Sequence, residues 1–171
     1  MEQFIIKIDV GTAIKQFIMA THGSDLIIPP KDSILWAIIK LNLVTFPYCN
    51  CVDEVSDDRA IRIAILNKQS MKYYNVQAQR VLCINTMFRC YLSDKGVMAI
   101  KQFFEKNMRH IFLLFMEGYN ISNEKNISFA IREFCMLYSV DYDDKMFAKL
   151  RKSWYRHKKK ISEKDVCPII F

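Results

Sequence analysis

Phe4-Ile5-Ile6-Lys7-Ile8-Asp9-Val10, then Gly11-Thr12, then Ala13-Ile14-Lys15-Gln16-Phe17-Ile18-Met19 is the passage on which the fold turns. In the first run Phe4, Ile6, Ile8 and Val10 share one face while Lys7 and Asp9 look away, the period-two alternation of a strand. With Gly11-Thr12 as a turn, the second run becomes a return strand and the two form a hairpin. The second run alternates less cleanly, and the alternative is a short helix ending at His22-Gly23.

Working outward, Pro29-Pro30 stops whatever precedes it, and Lys31-Asp32-Ser33 offers oxygens to cap a helix running to about Leu43. Its apolar positions Ile34, Ile38 and Leu41 recur at four and three residues, with Leu35 and Ile39 beside them, which predicts one buried face. Val44 to Asp58 reads as a loop. Arg59 to Leu66 alternates as a strand, and Asn67-Lys68-Gln69-Ser70 supplies turn residues before Met71-Lys72-Tyr73-Tyr74, predicting a second hairpin. Val76 to Leu92 places Val81, Ile84, Phe88 and Tyr91 at helical spacing. Ser93-Asp94 then caps a long helix to about Gly118, apolar on so wide an arc that it is expected at the centre of the fold. The expectation is an α+β protein: a small antiparallel sheet from two N-terminal hairpins, packed on a helical bundle, with a C-terminal helix pair. It divides as a core over 1–118, a polar linker over 119–126 and a basic module over 127–171.

Composition agrees with a folded chain: 171 residues, 51% hydrophobic, with 4 Gly and 4 Pro. No stretch nears the roughly 20 apolar residues of a membrane span, the most apolar run being Ile111 to Met116. Met1-Glu2-Gln3 lacks the basic start of a signal peptide, so the expectation is a cytoplasmic protein with no membrane partner. The six cysteines, Cys49, Cys51, Cys83, Cys90, Cys135 and Cys167, are read as reduced, in a chain large enough to fold without staples.

Charge is unevenly placed. Residues 145–164 hold nine Lys or Arg against Glu163, net +8, which leaves the other 151 residues with 16 basic and 17 acidic groups, net −1. Such asymmetry is the signature of a polyanionic partner, because cations that neutralise phosphates release condensed counterions. The segment reads as two helices, Ile127 to Tyr138 and Met146 to about Lys160. Ile127, Ile131, Phe134 and Tyr138 make the inner stripe of the first, with Ala130 as a point of close approach; Phe147, Leu150 and Trp154 make that of the second. On the outside of the second helix Lys145, Lys149, Lys152 and Arg156 fall at offsets of 0, 4, 7 and 11, one basic face, with Arg151, Lys158 and Lys159 flanking it. Asp143 and Asp144 stand where carboxylates cap a helix.

Residues 127–160 resemble a helix-turn-helix module, about a fifth of the chain. The resemblance implies duplex DNA as the partner, with the second helix in the major groove. Lys145, Lys149 and Lys152 would then face the groove, and Arg156, Lys158 and Lys159 would hold phosphates. One departure is that Tyr138-Ser139-Val140 puts serine where such turns often have glycine, and the connection is longer; a plain helical hairpin is the alternative. The arrangement of Gly23-Ser24-Asp25, Pro29-Pro30-Lys31-Asp32-Ser33 and, far downstream, Leu150-Arg151-Lys152-Ser153-Trp154-Tyr155-Arg156 is similar to small proteins of Bacteroidota phages and mobile elements.

Other chemistries find less support. Cys49-Asn50-Cys51 with Cys83 and Cys90 lacks the pairs two to four apart of a structural zinc site, Cys83 and Cys90 being read inside a helix. Asp53, Glu54, Asp57 and Asp58 form one polar stretch instead of converging from separate elements as metal carboxylates do. His22, His110 and His157 have no carboxylate or nucleophile at a spacing that marks acid–base work. Glycines at 11, 23, 96 and 118 compose no phosphate loop, and Tyr73-Tyr74-Asn75 suits hairpin packing better than base stacking. The expectation is a non-enzymatic DNA-binding protein without metal or cofactor, regulatory or serving a mobile element. The alternative is an assembly subunit whose basic helix docks an acidic protein surface, the loop 53–58 of another copy being one candidate.

Overall fold

In the computed structural model, residues 3–45, 56–66, 81–85, 88–119 and 124–165 are described. The order is β1 (Gln3–Asp9), α1 (Thr12–His22), β2 (Leu26–Ile27), α2 (Ile34–Leu41), β3 (Leu43–Thr45), β4 (Ala60–Leu66), β5 (Val81–Asn85), β6 (Phe88–Leu92), α3 (Asp94–Gly118), α4 (Glu124–Leu137) and α5 (Asp144–Asp165). The class is α+β. The chain forms two compact units, Met1–Glu105 and Lys106–Phe171.

In the first unit β4 is the middle strand of a mixed sheet, ordered β1-β4-β2. It runs antiparallel to β1, with Ile6 opposite Ile63 and Ile8 opposite Ile61, and parallel to β2. Ile6, Ile8 and Val10 are buried as the alternation requires, together with Ile61 and Ile63; Ala60 and Ala64, on the other face of β4, are buried too. From this middle strand Arg62 donates from Nε and Nη2 to the two oxygens of Asp25, just before β2, at 3.1 and 2.7 Å. This bidentate pair holds the Asp25 carboxyl below its ordinary value.

The first expected hairpin does not form; its alternative, a short helix ending at His22-Gly23, does. At Gly11 φ is 84°, and the chain turns into helix α1, whose buried residues Ile14, Phe17 and Ile18 follow helical spacing. Gly23, at φ 69°, ends it with its N–H donating to the Met19 carbonyl, a left-handed cap that a residue with Cβ adopts only at a cost. For the second hairpin, the strand over 60–66 is present, but its expected partner over 71–74 lies outside the described residues.

Ser33 caps α2 as its position predicts, its Oγ accepting from the Trp36 N–H at 3.1 Å. The buried face is Leu35 and Ile39, however, while Ile34 and Leu41 are 70% and 83% exposed. The expected loop after this helix begins instead with strand β3. The helix expected over 76–92 is also corrected. Val81–Asn85 and Phe88–Leu92 are instead two antiparallel strands in a second sheet, ordered β3-β6-β5, with Val81 opposite Tyr91 and Leu82 opposite Cys90. A register shift between Cys83 and Asn85 breaks the period-two pattern, so Val81, Ile84, Phe88 and Tyr91 imitate a helical stripe. Cys83 and Cys90 therefore sit on strands.

Ser93 caps α3, its Oγ accepting from the Gly96 N–H. Gly96 lies so close to the start of β3 that a Cβ there would come within 2.6 Å of Leu92 Cδ1 and 2.7 Å of Asn42 Cβ. Helix α3 is buried along one stripe, Ile100, Phe104, Met108, Phe112 and Met116, instead of all round; Leu114 is exposed. In the second unit Phe112 meets Phe134 of α4 edge-on at 5.1 Å, and Phe115 meets the same ring at 5.6 Å. Ile127, Ala130, Ile131 and Cys135 complete the inner side of α4, and Leu150 and Trp154 the inner side of α5.

Candidate functional site

The basic helix α5 is held at its start by two local devices. Ser139 adopts a left-handed backbone with φ 50°, the conformation for which glycine is the usual choice. The Ser139 N–H donates to Met136 O at 3.2 Å and the Val140 N–H to Cys135 O at 2.8 Å, the paired bonds of a Schellman ending, with Val140 buried beneath. Asp143 then caps α5, its Oδ1 accepting from the Met146 N–H at 2.6 Å. Serine thus takes the turn conformation that the sequence comparison with helix-turn-helix modules placed in question.

Because Leu150 and Trp154 point inward, the helical repeat of about 100° per residue fixes where the cations go. Lys145, Lys149, Lys152, Arg156 and Lys159 lie within about 80° of one another, on the side away from the core, and all five are exposed. Arg151 and Lys158 do not join them. They lie about 120–140° round the helix from Lys145, where the Arg151 guanidinium stands 5.6 Å from the Tyr155 ring centre and the Lys158 ammonium 5.5 Å from that of Trp154. Cations over aromatic faces in this range are attracted by the ring quadrupole. Of the seven sequence-predicted residues, the fold therefore gathers five on one face and turns two toward aromatic rings on the other flank.

Beside the basic face runs an open groove of about 560 Å³, lined by Arg109 and Leu113 of α3 and by Ser153, Arg156, His157, Lys159, Lys160 and Glu163 of α5. Arg109 is separated from α5 by more than thirty positions, and sequence spacing could not have placed it there. Lys160, by contrast, was reachable: it stands one helical turn beyond Arg156. Along the run, Lys159 pairs loosely with Glu163, 3.8 Å apart and both exposed, a contact worth little in water.

His157 lies at the side of this groove and gains a partner that its sequence neighbours do not offer. Its Nε2 is 2.5 Å from Oε1 of Glu117, 40 positions earlier on α3. Ser153 lines the same groove one turn before His157. Among the described residues no three His, Cys, Asp or Glu side chains converge on a point where a metal ion would sit. No helix among them is long and apolar enough to cross a membrane. Cys49, Cys51, Asp53, Glu54 and the Tyr73-Tyr74-Asn75 cluster lie outside the described residues. Asp57 pairs with Lys7 at 2.5 Å, and Asp58 accepts from Ser56, so these two acids are engaged within their own unit.

The core beneath the site includes one unusual group. Trp154 is 4% exposed, and its Nε1–H finds no acceptor among the described residues. The indole faces the His157 ring at 5.9 Å between centres. No protein-family model, curated protein or solved structure matches the chain.

Proposed function

We propose that the protein is a non-catalytic DNA-binding protein that presents the exposed face of α5 to the duplex. The observation that carries this reading is the sorting of Lys145, Lys149, Lys152, Arg156 and Lys159 onto one solvent-facing side of a capped helix, in a chain whose remaining residues are close to neutral. Exposed cations gathered on one face are what phosphate neutralisation uses, and a helix of 22 residues, about 33 Å long, spans roughly one turn of duplex. Lys145, Lys149 and Lys152, nearer the helix start, are assigned to the groove, and Arg156 and Lys159 to phosphates. Lys158 and Arg151, placed over Trp154 and Tyr155, have a lesser part.

The test is fluorescence anisotropy of the full chain with labelled duplexes of two unrelated sequences over a salt series. Binding at about micromolar Kd in low salt, weakening steeply as salt rises, is expected. Lys149→Ala with Lys152→Ala should weaken binding and alter the preference between the two duplexes, whereas Arg151→Ala with Lys158→Ala should do less. Binding that ignores salt, or a stronger effect from the second pair, counts against the reading. If an acidic peptide binds the wild type and duplex DNA does not, the basic face is a protein-docking surface instead.

A further inference from the structure

The groove beside the basic face has a composition that the exposed face of α5 alone does not explain. Two helices supply it, and four of its eight lining residues, Arg109, Arg156, Lys159 and Lys160, are cations. Ser153 and His157 add hydrogen-bonding groups, Leu113 is the apolar residue, and Glu163 is the single carboxylate, itself near Lys159. Arginine and lysine serve guanine edges as well as phosphates, so the rest of the lining decides between the two. It holds no Asn or Gln to pair with adenine and no Phe, Tyr or Trp on which a base would stack, while its cations suit the oxygens of a phosphodiester. A concave channel of this charge follows a sugar–phosphate backbone and leaves sequence unread.

Arg109 is the informative member. It is exposed on α3, a helix otherwise outside the basic segment, and its guanidinium presents a planar fork that fits phosphate oxygens in pairs. Across the groove Arg156 belongs both to this lining and to the basic face of α5, so a strand in the groove would continue directly onto that face. On the strength of the DNA-binding reading, we infer that the groove between α3 and α5 is a backbone-phosphate track, and that Arg109 is the DNA-contacting cation which α3 contributes to it. The ligand class is the phosphodiester backbone of one DNA strand.

The experiment compares full-length wild type, Arg109→Ala, Arg109→Lys and Lys106→Ala, the last removing an exposed α3 cation that does not line the groove. Each is titrated with two labelled duplexes of unrelated sequence between 50 and 200 mM salt, after circular dichroism has matched the folds. Loss of one phosphate contact should reduce the slope of log K against log salt by about 0.9, so that the drop in affinity across this fourfold salt range shrinks by about 3.5-fold. Arg109→Ala should show that change equally on both duplexes, Arg109→Lys should retain most of the wild-type slope, and Lys106→Ala should match wild type. If Arg109→Ala binds as wild type while Lys149→Ala with Lys152→Ala binds poorly, the groove lies outside the interface and only this inference falls. If wild type itself binds neither duplex, the DNA-binding reading falls with it. A change on one duplex but not the other overturns the backbone assignment.

Discussion

Trp154 supports the basic helix from beneath and buries an indole N–H without an acceptor among the described residues, so two substitutions there should differ sharply. Trp154→Ala removes a large, almost fully buried side chain and should cost about 3–5 kcal/mol. Trp154→Phe keeps a ring beside His157 but removes the N–H. The smaller ring leaves a void of roughly 40 Å³, a penalty of about 1 kcal/mol at 24 cal/mol per Å³. Against it stands relief of the unsatisfied N–H, worth about 1–3 kcal/mol. Lost transfer energy offsets some of that gain, so Trp154→Phe should lie within about 1 kcal/mol of wild type. Urea unfolding followed by circular dichroism measures both, and DNA binding should survive in the Phe variant and fail in the Ala variant. Equal losses for the two substitutions would mean that the indole nitrogen has a hydrogen bond in solution, and the argument from its burial would fail.

Ser139→Gly should stabilise the second unit by about 0.5–1 kcal/mol, because the left-handed backbone at φ 50° strains serine but not glycine, partly offset by glycine's freedom when unfolded; a loss of stability in urea would show that the serine hydroxyl is needed there. Burial pushes the Cys135 thiol up to about 11, so the folded protein at pH 8 should leave it unalkylated by iodoacetamide while denaturant exposes it, as peptide mass spectrometry would read; rapid labelling in the fold would refute the packing. Asp25, held below 3.8 by Arg62, contributes stability that is present above the unfolded carboxylate value and lost as pH falls through its lower folded value. Asp25→Asn should therefore lose less stability than wild type between pH 4 and pH 2, and a wild-type acid limb no steeper than that of the variant would contradict the pairing.

Legibility followed the range over which each signal acts. Strands β1 and β4 were readable because burial on one face writes alternation into a single stretch, and the starts of α2, α3 and α5 because Ser33, Ser93 and Asp143 cap their own next turn. Over α1 the hairpin reading fails and its alternative, a short helix ending at His22-Gly23, holds, because Gly11-Thr12 suits a hairpin as well as a helix start and only the spacing of Ile14, Phe17 and Ile18 separates the two. Strands β5 and β6 were misread because the irregularity between Cys83 and Asn85 shifts the alternation by one. On α2 the sequence offered two apolar faces, and packing chose Leu35 and Ile39 over Ile34 and Leu41. The basic face of α5 was visible for the same reason as the caps: one helix carries all of it. Arg109 and Glu117 were not, since what brings them to α5 is the packing of the second half of α3, which leaves no periodic trace.

The pairing of β4 with β1 also sets a timetable for synthesis. Partners in that ladder are 51 to 63 positions apart, Asp9 with Ala60 at one end and Gln3 with Leu66 at the other. During translation β1 therefore emerges long before the strand that completes it, at roughly 5–20 residues per second a delay of several seconds. Its buried pair Ile6 and Ile8 must wait, with unpaired backbone, for β4 to leave the ribosome. Helices α4 and α5 face no such wait, since each closes its hydrogen bonds within a turn. The N-terminal sheet is thus the part of the nascent chain that most needs shielding, and removing β4 should send it toward aggregation while the later helices still form.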